Sequence, residues 1–249
     1  MKLSVYIPVH NEEGRLDDCL KTVAFADEVI VMLDKCTDGS KDIALKHNVK
    51  VIEGSWSSEG ERRNTGMQAC TGDWILDIDA DERVPAALAK EIRDVINTTS
   101  FDLHCIPFDN YIGERLVKYG WGAYIGVSQK VALYRKGAKS YTPDRITHGN
   151  VQVKGRYGPV LTNSIIHYLD DDLSDTFRRF DRYTTARAKE LVAGNDQDGF
   201  GRNCLRFFSR FYKCYIRRKG YKERSIGFLI AVLAGLYPMV SYIKAKYKI

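Results

Sequence analysis

Four carboxylates crowd one short stretch, "DWILDIDADERV", which runs from Asp73 to Val84. Asp77, Asp79 and Asp81 recur at every second position, and Glu82 follows. In a strand, alternate side chains share a face. Two unit charges about 6 Å apart repel by roughly 3 kcal/mol at an effective dielectric of about 20. Such crowding needs solvent or a divalent cation to relieve it. Hard cations such as Mg²⁺ or Mn²⁺ take oxygen ligands, often one or two carboxylates together with substrate phosphates. Asp79-Ala80-Asp81 is a D-x-D at a strand end, a pattern common enough by chance to need company. Asp77 reads as a local cap or pairing partner. Company is present at the ends of two earlier apolar runs: Asn11 and Glu12 follow the first, and Asp34 and Asp38 follow the second.

These polar groups need elements to hold them. "LSVYIPV", "EVIVML", "VKVIEG" and "DWILDID" read as strands, and "FDLHCIPF" alternates like a fifth. Between them lie helical segments: "GRLDDCLKTVAFA", with Leu16, Cys19, Leu20 and Val23 on one face; "DGSKDIALKHN"; "EGERRNTGMQAC"; and "PAALAKEIRDVIN", opened by Pro85 as a first-turn residue. Strands alternating with helices imply an α/β fold with a mostly parallel, Rossmann-like sheet flanked by helices. Ligands of such sheets bind outside the carboxyl ends of the strands, where the acids fall. Residues 110–170 are less regular and read as an elaboration of the same catalytic domain, 1–170, whose first 109 residues form a nucleotide half. Residues 171–249 turn helical and basic. "LSDTFRRFDRYTTARAKELVA" puts Phe177, Phe180, Thr184, Ala188 and Leu191 on one helical stripe.

The 249-residue chain is 44% hydrophobic and 28% charged, which excludes a disordered protein, and its net charge is +6. Acids gather in the first half and bases in the last third, which suggests a docking surface for anions. Six cysteines are scattered without a C-x-x-C pair, so neither a zinc site nor a disulfide framework is expected. "MKLSVYIPVHNEE" lacks the pattern of a signal peptide, and a cytoplasmic setting with reduced thiols is expected.

"VYIPVHNEEGRLDDCL", "DEVIVMLDKCTDGSKDIA", "GERRNTG" and "WILDIDADE" appear in that order at βαβ spacing. This set resembles family 2 glycosyltransferases of the GT-A fold. "NYIGERLVKYGWG", "KVALYRKG" and the C-terminal basic, aromatic and apolar helices are similar to the branch that adds glucose or a similar hexose to a heptose of the lipopolysaccharide core. The resemblance implies a divalent metal ion and a UDP-sugar donor. It places Pro8 and Glu12 at the uracil and ribose, Asp34 by the base, and Arg63 with Asn64 on the nucleotide. It also implies Asp79 at the ribose or metal, and Asp81 on the cation that bridges the diphosphate. The chain departs from the family pattern in three places: Leu33 stands at a usual acidic position, Arg62 replaces a Gln, and Gly149 in "THGN" replaces a Glu. Arg62 reads as a solvated helix residue.

Transfer of a sugar with inversion requires a base for the acceptor hydroxyl. Asp144 ranks slightly above His148 for this role, with Asp109 behind them. Asp144 could equally be a turn residue after Pro143, and His148 could orient a phosphate. His167 could neighbour a metal or be a satisfied core histidine. Trp121 offers either a flat surface to a sugar ring on the acceptor side or a core ring. A catalytically impaired nucleotide-binding scaffold and a nucleotidyltransferase are the alternatives; the second is disfavoured because "PVHNEEGRL" is not a glycine-rich phosphate loop. Nucleic-acid binding is not expected, since the bases interleave with an apolar tail.

That tail, Ile226 to Ile243, carries no charge over 18 residues, about 27 Å as a helix against a hydrocarbon core of about 30 Å. Cations among aromatics precede it, from Arg206 to Lys219. Peripheral attachment to an anionic inner membrane face is expected, ahead of a single span or a dimer-forming helix. A glycolipid or lipopolysaccharide-core acceptor fits that placement.

Overall fold

The computed structural model describes residues 1–122, 125–142, 151–194 and 199–248. In chain order the first elements are β1 (Leu3–Val9), α1 (Glu13–Val23), β2 (Glu28–Asp34), α2 (Ser40–Lys46) and β3 (Lys50–Gly54). Next come α3 (Glu59–Ala69), β4 (Trp74–Asp77), β5 (Glu82–Arg83) and α4 (Ala86–Thr98). Strands β6 (Leu103–Ile112), β7 (Arg115–Val117), β8 (Gln129–Arg135), β9 (Lys139–Tyr141), β10 (Val151–Val153) and β11 (Ile165–Asp170) follow. The chain closes with α5 (Leu173–Ala193), α6 (Phe200–Tyr212), a π-helical segment Lys213–Arg217, a short 3₁₀ turn and α7 (Arg224–Tyr247). Two compact units result: residues 1–108 with 129–167, and residues 109–128 with 168–249.

In the first unit, β1 pairs in parallel with β2 and β4, and β2 in parallel with β3. All seven residues of β1 are buried, as expected for a central parallel strand covered on both faces. The α/β expectation is borne out, with one addition. Strand β8, from "KVALYRK", inserts antiparallel between β4 and β6. The sheet is therefore parallel on the side of β1 to β4 and antiparallel beyond.

Helix α1 buries Leu16, Cys19, Leu20 and Val23 against the sheet, the stripe its spacing predicts. Helix α3 starts at Ser58, whose hydroxyl accepts from the Glu61 N–H, while Glu61 accepts from Ser57. These contacts satisfy orphan donors of the first turn. Pro85 lies one residue before α4 rather than inside its first turn.

Two contacts in this unit carry predictions. A Cβ added at Gly72, just before β4, would lie 2.8 Å from the Ser4 backbone nitrogen and 2.9 Å from the Lys2 carbonyl oxygen. Those atoms belong to the chain entering β1 and cannot swing aside. Gly72→Ala is therefore expected to lose about 1–3 kcal/mol, read from urea unfolding. Asp27 accepts from the Arg93 guanidinium at 2.8 Å and the Leu3 N–H at 2.7 Å. The Arg93 bond first, then the backbone bond, holds its carboxyl down at about 2. A depressed carboxylate contributes stability that is present above its unfolded value near 4 and is lost as pH falls toward 2. In Asp27→Asn, the urea midpoint should fall less steeply between pH 4 and pH 2, by about the contribution of one such group.

In the second unit, α7 packs against α5 and α6. Helix α5 buries Thr176, Arg179, Thr184 and Ala188, and Phe177 is exposed. Thr184 and Ala188 of the expected stripe are buried and Phe180 packs against the core, while Phe177 turns outward and Arg179 faces inward. The reason is polar: Arg179 donates twice to Asp170, at 2.8 Å each, and to the Ile125 carbonyl at 2.6 Å. This buried ion pair orients the face. Trp121 is also a core residue here, 4% exposed, with its indole N–H donating to the Val117 carbonyl at 2.6 Å. Of the two alternatives, a sugar-stacking surface and a core ring, its burial matches the core ring. Helix α7 is long and apolar enough to cross a membrane, yet half of its apolar stretch is buried within the protein.

Candidate active site at the carboxyl ends of β1 and β4

Strand β4 ends at Asp77, where its ladder with β1 stops at the Tyr6–Asp77 pair. Asp79 and Asp81 stand in the turn that follows. The Asp79 N–H donates to the Glu82 carboxylate at 3.0 Å, and the Glu82 N–H returns to the Asp79 carbonyl at 3.0 Å. The turn corrects the expected strand through Asp79, and the acids do not line one strand face.

Three cations, one buried and two partly buried, answer most of the negative charge. Arg63 of α3 donates to Asp77 and Asp79, each at 3.0 Å, and to Glu59 one turn earlier at 2.9 Å. Lys139 of β9 donates to Asp77 at 2.7 Å. Lys130 of β8 donates to both oxygens of Glu82 at 2.8 Å and lies 3.5 Å from Asp79. Burial pushes the Asp77 carboxyl up, but Lys139 and Arg63 outweigh it and hold it well below the usual carboxylate range. Asp79 is lowered too: burial opposes, and Arg63 with Lys130 prevails. Glu82 goes the other way, because burial lifts it to about 7 against Lys130.

Asp81 is the acid these three cations leave out. Its Oδ2 is 4.0 Å from Arg15 and 3.5 Å from His167 Nε2, and its buried Oδ1 has no hydrogen-bond partner among the described residues. His167 is brought there by register, since β11 places it opposite Glu82 on β5. Burial works against a charged imidazole, yet the contact with Asp81 raises His167 above its ordinary value. Ligand atoms from Asp81, Glu82 and His167 lie within 4.8 Å of one another. Two carboxylates, one of them with an orphaned oxygen, and an imidazole form a donor set that fits a divalent cation.

The other expected nucleotide residues gather at neighbouring strand ends. Pro8 lies beyond the β1–β4 ladder, in register with Met32 of β2. Glu12 caps α1, and its N–H donates to the Ser40 hydroxyl at 3.0 Å. Burial, then the charge of Asp81, raises its carboxyl. Asp34 accepts from the Trp56 N–H at 3.3 Å and sits 3.4 Å from Arg62. Arg62 is therefore an ion-pair partner of Asp34, which corrects the solvated-face reading. Arg63 and Asn64 are engaged with protein groups. Asn64 donates to the Tyr141 carbonyl at 2.8 Å and accepts from the Tyr141 N–H at 2.9 Å, tying β9 to α3. Arg63 thus holds Asp77 and Asp79, and Asn64 holds β9. Asp144 and His148 lie outside the described residues. Asp109 is on β6, in the second unit.

Lys130, Lys139 and His167 carry as much of the site as the acids, and the sequence reading assigned no role to the two lysines. A lysine at the edge of the apolar run "VALY" is the signal that could have pointed to Lys130.

The glycosyl transferase family 2 model matches residues 4–149. The lipopolysaccharide core biosynthesis glycosyltransferase LpsC of Rhizobium meliloti (strain 1021) is 20% identical, over 98% of this chain and 92% of its own length. An uncharacterized glycosyltransferase of Rickettsia typhi is 25% identical, over 93% of this chain and 82% of its own. Among solved structures, S. aureus TarS 1–349 in complex with UDP-GlcNAc superposes with a TM-score of 0.56 at 15% identity, covering 100% of this chain and 91% of that one. That likeness is one of fold.

Proposed function

The chain belongs to glycosyl transferase family 2, and from that premise we propose that it moves a hexose, with inversion, from a UDP-sugar to a hydroxyl of a lipopolysaccharide-core or similar glycolipid acceptor. The observation that carries the donor side is Asp81, an acid with an unpartnered buried oxygen beside Glu82 and His167. The LpsC relative supports the acceptor class by its name, and the UDP-GlcNAc complex of TarS supports the donor class. Among the described residues the cysteines are free, which suits a cytoplasmic enzyme.

Asp81, Glu82 and His167 would hold a divalent cation, Mg²⁺ or Mn²⁺. Such an ion offsets the negative charge that develops on a diphosphate leaving group. Arg63 and Lys130 keep Asp79 and Glu82 fixed, so little reorganisation is needed as that charge appears. Pro8, Glu12 and Asp34 stand at neighbouring strand ends, where a uridine would lie. The acceptor oxygen attacks the anomeric carbon. The bond from that carbon to the diphosphate oxygen breaks, and UDP departs with the electron pair. The hydroxyl proton passes to a base, for which Asp144 is proposed ahead of His148.

Mass spectrometry of heptose-containing core oligosaccharides incubated with a panel of UDP-sugars tests this reading. One donor should yield an acceptor heavier by one hexose together with free UDP. UDP binding without transfer to any such acceptor would favour a nucleotide-binding scaffold instead.

A further inference from the structure

Helix α6 carries an apolar stripe that its own unit leaves uncovered. Leu205 is 72% exposed, Phe208 68%, Tyr212 54% and Ile216, in the adjoining π-helical segment, 44%. Steps of three and four residues put them on one side of the helix. The opposite side is the packed one. Asn203 and Cys214 are buried there, and Phe207 closes over Gly235 of α7, where a Cβ would meet its ring at 2.8 Å. Along one flank of the apolar stripe run Arg202, Arg206, Lys213 and Arg217, all exposed. From Gly199 to Lys248 the sequence holds a single acid, Glu223. That acid is buried and accepts from the Lys118 and Tyr119 N–H groups, so it does not offset the flank.

An apolar ridge bordered by cations is the pattern of a helix lying in an anionic lipid interface. A symmetric second copy would bring like-charged flanks together. A nucleic acid would match the arginines but would leave the Leu, Phe and Ile side chains in water. The apolar helix α7 is half buried beneath its neighbours, so the unit presents α6 rather than a bare span. We propose that α6 docks on an anionic phospholipid bilayer, with Leu205, Phe208 and Tyr212 at the headgroup–acyl boundary and Lys213 and Arg217 on lipid phosphates. This contact does not rest on the sugar-transfer reading, and either can fail alone.

Co-sedimentation of the full chain with vesicles tests it. The wild type should pellet with phosphatidylglycerol-containing vesicles and stay in solution with pure phosphatidylcholine, and its binding should weaken as salt rises. Leu205→Ser/Phe208→Ser should bind at least about tenfold more weakly. Lys213→Gln/Arg217→Gln, which leaves the apolar stripe intact, should bind about tenfold more weakly at low salt. Both variants alter exposed side chains, and a melting curve verifies their folding; should the first fail to fold, the second decides. Equal wild-type binding to both vesicle types, or undiminished binding by the folded variants, overturns the proposal. So does a wild-type dimer that the first variant dissociates, or capture of DNA without capture of vesicles.

Discussion

Asp81→Asn is expected to lower sugar transfer by about 10²–10³-fold and to shift the melting temperature by no more than about 2 °C. The two halves of that expectation have separate causes. Asp81 supports little of the fold: its side chain is 28% exposed, and its ion-pair distances are long, 4.0 Å to Arg15 and 3.5 Å to His167. Its Oδ1 has no hydrogen-bond partner among the described residues. Asparagine keeps the shape and removes the charge that a divalent cation would take. Steady-state rates and a thermal melt on the same preparation check it. A large fall in melting temperature would make Asp81 a structural acid and remove the basis for its role.

Arg63→Ala should lose about 3–5 kcal/mol of stability, the usual result of removing one partner from a buried ionic network. Arg63 is the common partner of Glu59, Asp77 and Asp79. Asp77 is 1% exposed and, among the described residues, would keep Lys139 as its ion-pair partner. Asp79 would retain Lys130 at 3.5 Å. Arg63→Lys restores the charge but not the planar fork that reaches two carboxylates at once, so its loss should be intermediate. Urea unfolding of the three proteins gives the ranking. An Arg63→Ala protein as stable as wild type but unable to bind UDP would return Arg63 to the nucleotide-contacting role suggested by the sequence.

Much of the nucleotide half was legible because its signals are local. Strand β1 there, and helix α5 in the C-terminal region, have the boundaries their patterns predict. Apolar runs, helical spacing and turn residues are properties of neighbouring positions. The partners of the acids were not legible in that way. Lys130 and Lys139 come from strands more than 45 residues beyond the "DIDADE" stretch. The antiparallel insertion of β8 brings Lys130 in, and the Asn64–Tyr141 hydrogen bonds, with Arg63 over the Tyr141 ring, hold β9 near α3. His167 was noticed as a possible metal neighbour, and it takes its place through pairing with Glu82. The sequence also misjudged Arg62, left Trp121 open between a sugar surface and the core, and put Phe177 on the buried face of α5. In each case a tertiary partner decides: Asp34 for Arg62, the second unit's core for Trp121, and Asp170 for the helix face.

The early puzzle of crowded acids resolves into a division of labour. Asp77, Asp79 and Glu82 are neutralised from within by Arg63, Lys139 and Lys130. Asp81 remains for something from outside. Calorimetric titration of UDP in the presence of Mn²⁺ tests that claim most directly, since it requires neither the right sugar nor the right acceptor. The wild type should bind UDP, and binding should weaken at least about tenfold when the ion is chelated or when Asp81 is replaced by Asn. UDP binding that is unaffected by both changes, or no UDP binding by the wild type, would contradict it.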